Sequence, residues 1–372
     1  MTSRLWIEVN LSRLKDNLSL IKGRIRSTTG IIAVIKANAY GHGLLPVARA
    51  LMDAGVTGFA AVGVEEAVRL REDGCQLPIL LLEQVLPADV DAVVHQRLTA
   101  AVSDLLFVKT LDAASAHQHR QAKVHLRIDV GMGSNGSLPE QSLALAQRIT
   151  ALPNLALTGI FTHLNAAYGG DLQHARIQLN TFDQVLRRLA ENNIQAPYLH
   201  AASSPALFLM PEAEYNLIRP GIALYGLPCG NSLLDGDIRP VMSIKSRVGS
   251  IKTVDSSFRG GYGWSFETTR ETRIATLPIG YADLFFYHYV RSGYVLIHGR
   301  KAPILGNVCM NHLMVDVTAI PEACPSDEAV LLGIQDHSEI RAADLAEMTG
   351  INHDNLDLVC LLPNAIPRVY TA

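Results

Sequence analysis

Apolar, β-branched runs alternate with amphipathic segments from the start of the chain to about residue 220. Between residues 173 and 190, apolar side chains recur at three- and four-residue steps, which predicts one buried face of a helix. The predicted strands occupy residues 31–35, 58–62, 78–82, 98–102, 123–128, 156–161, 198–200 and 216–218. Strands that alternate with helices pair in parallel through crossovers, and eight of them predict an α/β fold of the (β/α)8 TIM-barrel type. An open, doubly wound parallel sheet is the alternative.

The alternation of predicted strands and helices ends at about residue 225. Predicted strands at residues 241–254, 272–278, 294–297, 313–317 and 329–332 are separated by glycine, proline and aspartate turns, with little helix between them. This pattern is typical of a smaller, mainly antiparallel β-domain. The segment 229–237, which begins at Cys229 and contains two glycines, is the predicted linker. We therefore predict a barrel over residues 1–230 and a C-terminal β-domain over residues 231–372.

Composition excludes several classes of protein. The 372 residues include 35 acidic and 32 basic side chains, so the net charge of −3 argues against a nucleic-acid partner, which would need a basic surface. The hydrophobic fraction of 48% excludes intrinsic disorder. No apolar run approaches the roughly 20 residues of a membrane span, and the first ten residues lack the apolar core of a signal peptide. We expect a soluble, cytoplasmic protein with no membrane partner.

The cysteines point to the same compartment. The chain has five, and no two form a C-x-x-C pair: Cys75, Cys229, Cys309, Cys324 and Cys360. Scattered cysteines without metal-ligand spacing predict free thiols in a reducing environment and no metal site.

One glycine motif invites a different interpretation. Residues 131–136, GMGSNG, match the pattern G-x-G-x-x-G and follow a predicted strand. A dinucleotide-binding fold would also place an acidic residue about 20 positions later and would carry the motif in its first βα turn. Between Glu140 and Asp171, however, there is no aspartate or glutamate, and the motif follows the fifth predicted strand. The pattern therefore favours a tight, glycine-rich loop of the barrel.

Lys36 is the more informative residue, because it directly follows the predicted strand 31–35. In a barrel this position is the C-terminal mouth, where active sites are built. A lysine amine in an apolar setting can act as a nucleophile and form a Schiff base with an aldehyde cofactor. A single lysine at a strand end is more often a surface residue, so the residues around it, AVIKANAYGHG at 33–43, decide between the two interpretations.

That string resembles the pyridoxal-phosphate attachment motif of the alanine racemase family. Further blocks resemble the family in the same order along nearly the whole chain: residues 6–17, 128–136, 162–163, 200–206, 219–226, 261–266, 279–283, 300–311 and 366–370. Several blocks in order are more specific than any single motif. The resemblance implies a pyridoxal-phosphate barrel followed by a C-terminal β-domain, in agreement with the strand pattern.

The resemblance also implies an activity and the residues that carry it out. Lys36 matches the lysine that holds pyridoxal phosphate and serves as one catalytic base, and Tyr262 matches the second base, which the partner subunit of a homodimer supplies. Racemisation needs two such groups, because one removes the α-proton from one face and the other returns a proton to the opposite face. The implied activity is the interconversion of L- and D-amino acids, with alanine or a related small amino acid as substrate.

The remaining matches concern binding. Arg219 matches the arginine that faces the pyridine nitrogen, which it would leave unprotonated because a guanidinium keeps its own proton. His163 matches the histidine beside that arginine. The phosphate cradle of hydroxyls and backbone N–H groups matches Tyr40, Ser204, Gly221 and Ile222. On the substrate side, the backbone N–H of Met310 matches the group that meets the carboxylate, and Tyr281 matches a residue that lines the route of substrate into the site.

Four positions depart from the family pattern. Ser134 replaces an arginine that faces the substrate carboxylate and the cofactor, and Arg127 stands where many members have a lysine, carbamylated in some, that orients that arginine. Asn311 replaces an aspartate, and Leu356 falls where a phosphate-binding tyrosine is expected. These departures leave the identity of the amino-acid substrate open.

The first two departures are coupled, because a lysine has no arginine to orient once Ser134 is in place. We predict that Arg127 instead contacts the carboxylate or a cofactor oxygen, together with the N–H of Met310. The alternative is that Arg127 pairs with a neighbouring acid such as Asp129 and that the carboxylate site is weakened.

Other functions fit the same barrel. Decarboxylases of this fold usually place an acidic residue at the pyridine nitrogen, which Arg219 argues against. Single-domain proteins that carry pyridoxal phosphate lack the β-domain that contains Tyr262 and Met310. A degenerate or retargeted family member with weak racemase activity is the remaining alternative, and Ser134 and Leu356 are the residues that favour it.

Overall fold

The computed structural model describes residues 3–227, 238–284, 287–288, 290, 292–350 and 359–372. The chain folds into two compact units, one of residues 14–239 and one of residues 1–13 with 240–372. The first strand, β1 (Leu5–Asn10), belongs to the second unit. Leu356 and the predicted linker 229–237 lie outside the described residues.

The unit of residues 14–239 is a nearly closed barrel of eight parallel strands, in the spatial order β8-β7-β6-β5-β4-β3-β2-β9. A parallel bridge between Ser203 and Arg219 links the segments that follow the two outermost strands. The strands are β2 (Gly30–Val34), β3 (Gly58–Ala61), β4 (Ile79–Leu81), β5 (Thr99–Val102), β6 (Ala122–Arg127), β7 (Leu155–Phe161), β8 (Tyr198–His200) and β9 (Leu217–Ile218). Each predicted strand overlaps one of these, so the barrel prediction is confirmed and the open sheet is wrong.

Apolar residues occupy both faces of the barrel strands. Every residue of β3, β4 and β5 is buried, because the barrel interior covers one face of a parallel strand and helices cover the other. The helices are α1 (Leu11–Lys22), α2 (Lys36–Tyr40), α3 (Leu44–Asp53), α4 (Val64–Glu72), α5 (Val90–His95), α6 (Leu105–His117), α7 (Ser142–Thr150), α8 (Leu172–Glu191) and α9 (Ser204–Leu209). The helix predicted over 173–190 is α8. Across the described part of the chain, no helix has both the length and the apolar character that crossing a bilayer requires.

The second unit is mainly an antiparallel sheet in the order β11-β14-β17-β16-β15-β18-β10-β1-β20, with β19 paired to β18 and a separate hairpin of β12 and β13. Its elements after β1 are β10 (Met242–Arg247), β11 (Ser250–Val254), β12 (Arg259–Gly260), β13 (Phe266–Glu267), β14 (Thr272–Leu277), β15 (Tyr294–Ile297), β16 (Arg300–Leu305), β17 (Leu313–Asp316), β18 (Glu328–Gln335), β19 (Ser338–Ile340), α10 (Ala342–Thr349) and β20 (Arg368–Thr371). Buried and half-buried residues alternate along β10, as expected where one face of a strand is covered. The predicted β-domain is confirmed.

Two details differ from the sequence prediction. The single strand predicted over 241–254 is divided between β10 and β11, because Val248 donates its N–H to Asp327 O and Gly249 donates its N–H to Thr276 O. The predicted barrel includes the first 13 residues, but β1 pairs antiparallel with β10 and parallel with β20. Those backbone bonds group the start of the chain with residues 240–372.

Gly58 provides a test of the barrel packing. A Cβ atom at this position would lie 2.8 Å from Pro78 O, the same oxygen that accepts the N–H of Phe59 and begins the pairing of β3 with β4. Because a backbone oxygen cannot move aside cheaply, Gly58→Ala should lower the free energy of unfolding by about 1–3 kcal/mol. Denaturant unfolding followed by circular dichroism measures this. Gly23→Ala is the control, since its Cβ would meet nothing closer than 3.5 Å, and an equal loss in both variants would contradict the argument.

Candidate functional site

Lys36 stands half-buried at the C-terminal end of β2 and begins an unusual turn. The four residues after it, Ala37 to Tyr40, all have φ between 53° and 55°, which is the left-handed conformation that costs L-residues roughly 1–2 kcal/mol each. The turn is held from outside, because Asn38 donates its N–H to Glu66 Oε1 at 2.7 Å and its side-chain oxygen accepts the N–H of Leu44 at 2.8 Å. Strain of this kind is maintained mainly at functional sites.

Hydroxyl and N–H groups converge near the end of this turn. Ser204 Oγ, at the start of α9, accepts the N–H groups of Gly221 at 2.9 Å and Ala223 at 3.2 Å. A Cβ atom on Gly221 would lie 2.6 Å from Tyr40 Oη, so glycine is required for the tyrosine hydroxyl to approach the backbone here. Ile222 follows at once and is buried. The structure thus brings together all four residues predicted to form a phosphate cradle: Tyr40, Ser204, Gly221 and Ile222.

Arg219 is buried in the barrel, with 4% of its surface exposed. Its Nη1 donates to His200 Nδ1 at 2.6 Å, and its Nη2 donates to Thr162 O at 2.7 Å and Ala201 O at 3.3 Å. Burial, followed by the positive charge of Arg127, lowers the pKa of Arg219 to about 9. The guanidinium is therefore still charged at neutral pH.

Arg219 fixes the tautomers of two histidines. Because a guanidinium only donates, the Nδ1 of His200 must accept, and its Nε2 then carries the proton and donates to His125 Nδ1 at 2.9 Å. Burial and the charge of Arg219 lower the pKa of His125 to about 3 and that of His200 well below its ordinary value, so both rings are neutral. The bond between β8 and β6 passes over Gly159 of β7, where a Cβ atom would lie 2.6 Å from the His125 ring.

The pKa of His163 reflects the positive charges around it. Burial lowers the pKa of His163 to about 3, and the positive charges of Arg219, Arg127 and Lys36 contribute to the lowering in that order. The geometry agrees with this. Strand β2, which precedes Lys36, pairs with β9, which precedes Arg219, and the ring of Phe161 has the Cζ atoms of Arg219 and Arg127 at 5.2 Å and 6.0 Å from its centre. The structure therefore brings the predicted site residues Lys36, Arg127, His163 and Arg219 together at the mouth of the barrel.

Arg127 pairs with an acid, as the alternative predicts, but this acid is Glu83 and not Asp129. Its Nη1 donates to Leu82 O and to Glu83 Oε2, both at 2.8 Å, and Glu83 Oε2 also accepts from Asn135 Nδ2. The Asp129 carboxylate is occupied otherwise, because it accepts the backbone N–H groups of residues 131, 132 and 133.

The same bonds describe the glycine motif. Asp129 closes residues 131–136 into a loop in which Ser134 is exposed, and the next helix, α7, begins only at Ser142. The motif is thus a glycine-rich barrel loop, as predicted, and it does not open a helix as a dinucleotide fingerprint does.

In the other unit, backbone bonds join two of the predicted substrate residues. Tyr281 donates its N–H to Cys309 O at 3.1 Å, and Ala282 donates to Met310 O at 2.9 Å. The close approach requires Gly280, since a Cβ atom there would collide with Cys309 O. Met310 is 55% exposed, and Asn311 beside it is also exposed.

Tyr262 belongs to the same cluster of loops. It lies in the turn between β12 and β13, and Ser265 of that turn accepts the N–H of Asn307 at 3.1 Å, three residues before Met310. Tyr262 is 74% exposed and Trp264 is 70% exposed. Within this unit the structure therefore brings Tyr262, Tyr281 and Met310 onto one exposed group of loops.

Four contributing residues are not identified by the sequence patterns: Glu83, His125, Asn135 and Gly159. Gly159 carries a signal, because a glycine inside a predicted strand indicates a close approach of a neighbouring group. His125 carries none, since its predicted strand also contains a lysine and an arginine. Glu83 and Asn135 carry none, since acidic and amide residues in loops are common.

Comparison with known proteins agrees with this geometry. The family model described as "Alanine racemase, N-terminal domain" matches residues 9–228, and that described as "Alanine racemase, C-terminal domain" matches residues 241–370. The alanine racemase of Halothermothrix orenii is 36% identical over 371 residues, which cover 100% of this chain and 97% of that protein.

Solved structures are similar over the same length. The alanine racemase of Clostridium difficile 630 superposes with a TM-score of 0.94 at 30% identity, covering 100% of this chain and 96% of that one. The alanine racemase of Bacillus anthracis with bound L-Ala-P gives a TM-score of 0.90 at 29% identity, covering 100% and 96%. Both family models and the full-length relatives agree, and the chain belongs to the alanine racemase family.

Proposed function

We propose that the protein is a pyridoxal-phosphate-dependent alanine racemase that interconverts L- and D-alanine. The observation that carries the proposal is the convergence of Lys36, the buried Arg219 and the cradle of Tyr40, Ser204 and Gly221 at one end of the barrel. The names of the full-length relatives support the substrate. Neither a decarboxylase nor a carrier of the cofactor gains support from any of these matches.

The residues present fit pyridoxal phosphate. The hydroxyl of Tyr40, held against the backbone of Gly221, and the hydroxyl of Ser204 suit a phosphate group. The side chain of Lys36 is half-buried at a strand end, where an aldehyde could condense with it. When bound there, the cofactor withdraws electrons from the substrate and so acidifies the proton on its α-carbon.

Arg219 is the residue that would face the pyridine nitrogen of the cofactor. Its guanidinium, held by His200 and two carbonyls, offers N–H groups and no acceptor. Because a guanidinium keeps its own proton, Arg219 would hold that nitrogen without protonating it, and the cofactor would withdraw electrons less strongly than its protonated form does.

Two bases move the proton in the proposal. Lys36 Nζ removes or returns it on one face of the α-carbon, and the hydroxyl of Tyr262 of the partner subunit acts on the other face. The high exposure of Tyr262, on a loop that is hydrogen-bonded to the loop of Met310, supports its use by a second chain. The proposed assembly is a homodimer in which each active site uses both subunits.

Substrate contacts complete the proposal. The backbone N–H of Met310 and the guanidinium of Arg127 meet the carboxylate of a small amino acid, and Tyr281 lines its route into the site. We also propose a cytoplasmic location, which the buried free thiols of Cys75 and Cys309 support.

The cofactor linkage can be tested directly. The purified protein should be yellow, and borohydride reduction followed by peptide mapping should place the cofactor on Lys36, because this amine stands at the barrel mouth beside the phosphate cradle. Lys36→Ala should lose the label. Label on another lysine, or no label on the wild-type protein, would overturn the assignment of Lys36.

The shared site makes a separate prediction. Lys36→Ala and Tyr262→Phe should each abolish racemisation of L-alanine, followed by polarimetry, while Tyr262→Phe retains bound cofactor. When the two variants are mixed in equal amounts and reassociated, half of the dimers contain one subunit of each kind, and one of the two sites in such a dimer is intact. The mixture should therefore recover about one quarter of wild-type activity. Mixing Lys36→Ala with the double variant Lys36→Ala/Tyr262→Phe is the control, because it can form no intact site. No recovery in the first mixture would contradict a site shared between subunits.

A further inference from the structure

Arg127 uses only one edge of its guanidinium. Its Nη1 donates both protons, one to Leu82 O and one to Glu83 Oε2. Within the described residues, its Nε and Nη2 donate no hydrogen bond, although only 8% of the side chain is exposed. Neither nitrogen belongs to the fully enclosed polar atoms without a partner in the described part of the chain. Both donors therefore reach accessible space, where they can bind a ligand.

The unused edge belongs to the barrel mouth. The ring of Phe161, at the end of β7, has the Cζ of Arg219 at 5.2 Å from its centre and the Cζ of Arg127 at 6.0 Å. Both guanidinium groups also lower the pKa of His163. Arg127 is therefore a second buried cation near Arg219, and its Nε and Nη2 are the donors available for a ligand.

A carboxylate is the acceptor that fits. The Nε and Nη2 protons of a guanidinium lie parallel and in one plane, and they match the two oxygens of a carboxylate. In contrast, the loop residue at position 134 is an exposed serine, which offers neither a charge nor the necessary length. Arg127 stands on strand β6 itself, so its backbone position does not depend on that loop.

We propose that the Nε–Nη2 edge of Arg127 binds the α-carboxylate of the substrate, and that Glu83 and Asn135 are positioning residues that keep this edge turned toward it. The inference rests on the proposed racemase function, which it deepens by assigning the edge of Arg127 that binds the carboxylate and the residues that position it. Glu83 Oε2 accepts from both Arg127 and Asn135, so the pair fixes the guanidinium from the side that faces away from the substrate.

Glu83 then has two opposing effects. Its hydrogen bonds hold Arg127 in place, whereas its negative charge repels a second carboxylate on the same guanidinium. Glu83→Gln separates the two effects, because the amide oxygen can accept the same hydrogen bonds without the charge. Glu83→Ala removes both.

The experiment compares two halves of the substrate as probes. Propionate has the carboxylate of alanine without the amine, and ethylamine has the amine without the carboxylate. Ligand-observed NMR titrations of the cofactor-loaded enzyme give a Kd for each probe, independently of turnover. Racemisation of L-alanine by the wild-type enzyme is measured in parallel, so absence of turnover would reject the proposed function without deciding the role of Arg127.

Arg127→Leu should raise the Kd of propionate by about tenfold or more, since one charge-assisted pair is lost, and should leave the Kd of ethylamine within about twofold. Arg127→Lys, which keeps the charge without the planar fork, should give an intermediate loss. Glu83→Ala and Asn135→Ala should weaken propionate but not ethylamine, and Glu83→Gln should bind propionate at least as tightly as the wild type.

Three results would overturn the inference. The first is propionate binding that is unchanged in both Arg127 variants, and the second is an equal loss for both probes, which indicates general damage to the site. The third is Glu83→Gln as weak as Glu83→Ala, because the charge of Glu83 rather than its hydrogen bonds would then matter. Since Glu83 is half exposed, its variants decide the question even if Arg127→Leu does not fold.

Discussion

The guanidinium of Arg219 lies where water does not reach, and a buried cation must find an acceptor for its protons or destabilise the fold. The residues around Arg219 supply these acceptors. Two backbone oxygens, of Thr162 and Ala201, accept from one nitrogen, and His200 accepts from the other. His200 can accept only in the tautomer whose Nε2 carries the proton, and His125 Nδ1 then accepts a hydrogen bond from that Nε2. Gly159 lacks a side chain because the His125 ring fills that space. One charged group thus constrains residues on three neighbouring strands of the barrel wall, β6, β7 and β8.

The charged side chains that act on His163 at the barrel mouth are positive. Lys36, Arg127 and Arg219 all act on His163, and among the ion pairs of the described residues Glu83 is the carboxylate that faces this group. Histidines in such a field stay neutral, and their folded-state pKa values lie below the 6.5 of an unfolded chain. Below pH 6.5 these histidines bind protons in the unfolded chain but stay neutral in the folded barrel. The contribution of the neutral histidines to stability is therefore present above pH 6.5 and is lost as the pH falls toward 3. The same excess of positive charge suits a phosphate and a carboxylate.

The sequence predicted the barrel well because its strands are apolar on both faces and are separated by amphipathic helices. It predicted the β-domain less well. Strand β16 has the sequence RKAPIL, and its charged residues and proline obscure an alternating pattern. Strands β1 and β20 pair across almost the whole chain, which no local pattern can indicate. In the site, residues with distinctive motifs were found, whereas Glu83 and Asn135 were not, since their roles depend on a contact with Arg127 that only the folded chain creates.

That contact changes the meaning of the unusual residues at positions 127 and 134. Taken alone, Ser134 suggests a site that has lost a cation and, with it, part of its function. The structure shows a buried cation nearby, at the end of a strand, where Leu82 O and Glu83 hold Arg127. The loop itself is closed on Asp129 through backbone N–H groups that any residue could supply. A strand end is more rigid than a loop tip, and Asn135 of the loop adds support through its hydrogen bond to Glu83. In the proposed carboxylate site the two positions therefore belong together, because Arg127 supplies the cation that Ser134 does not.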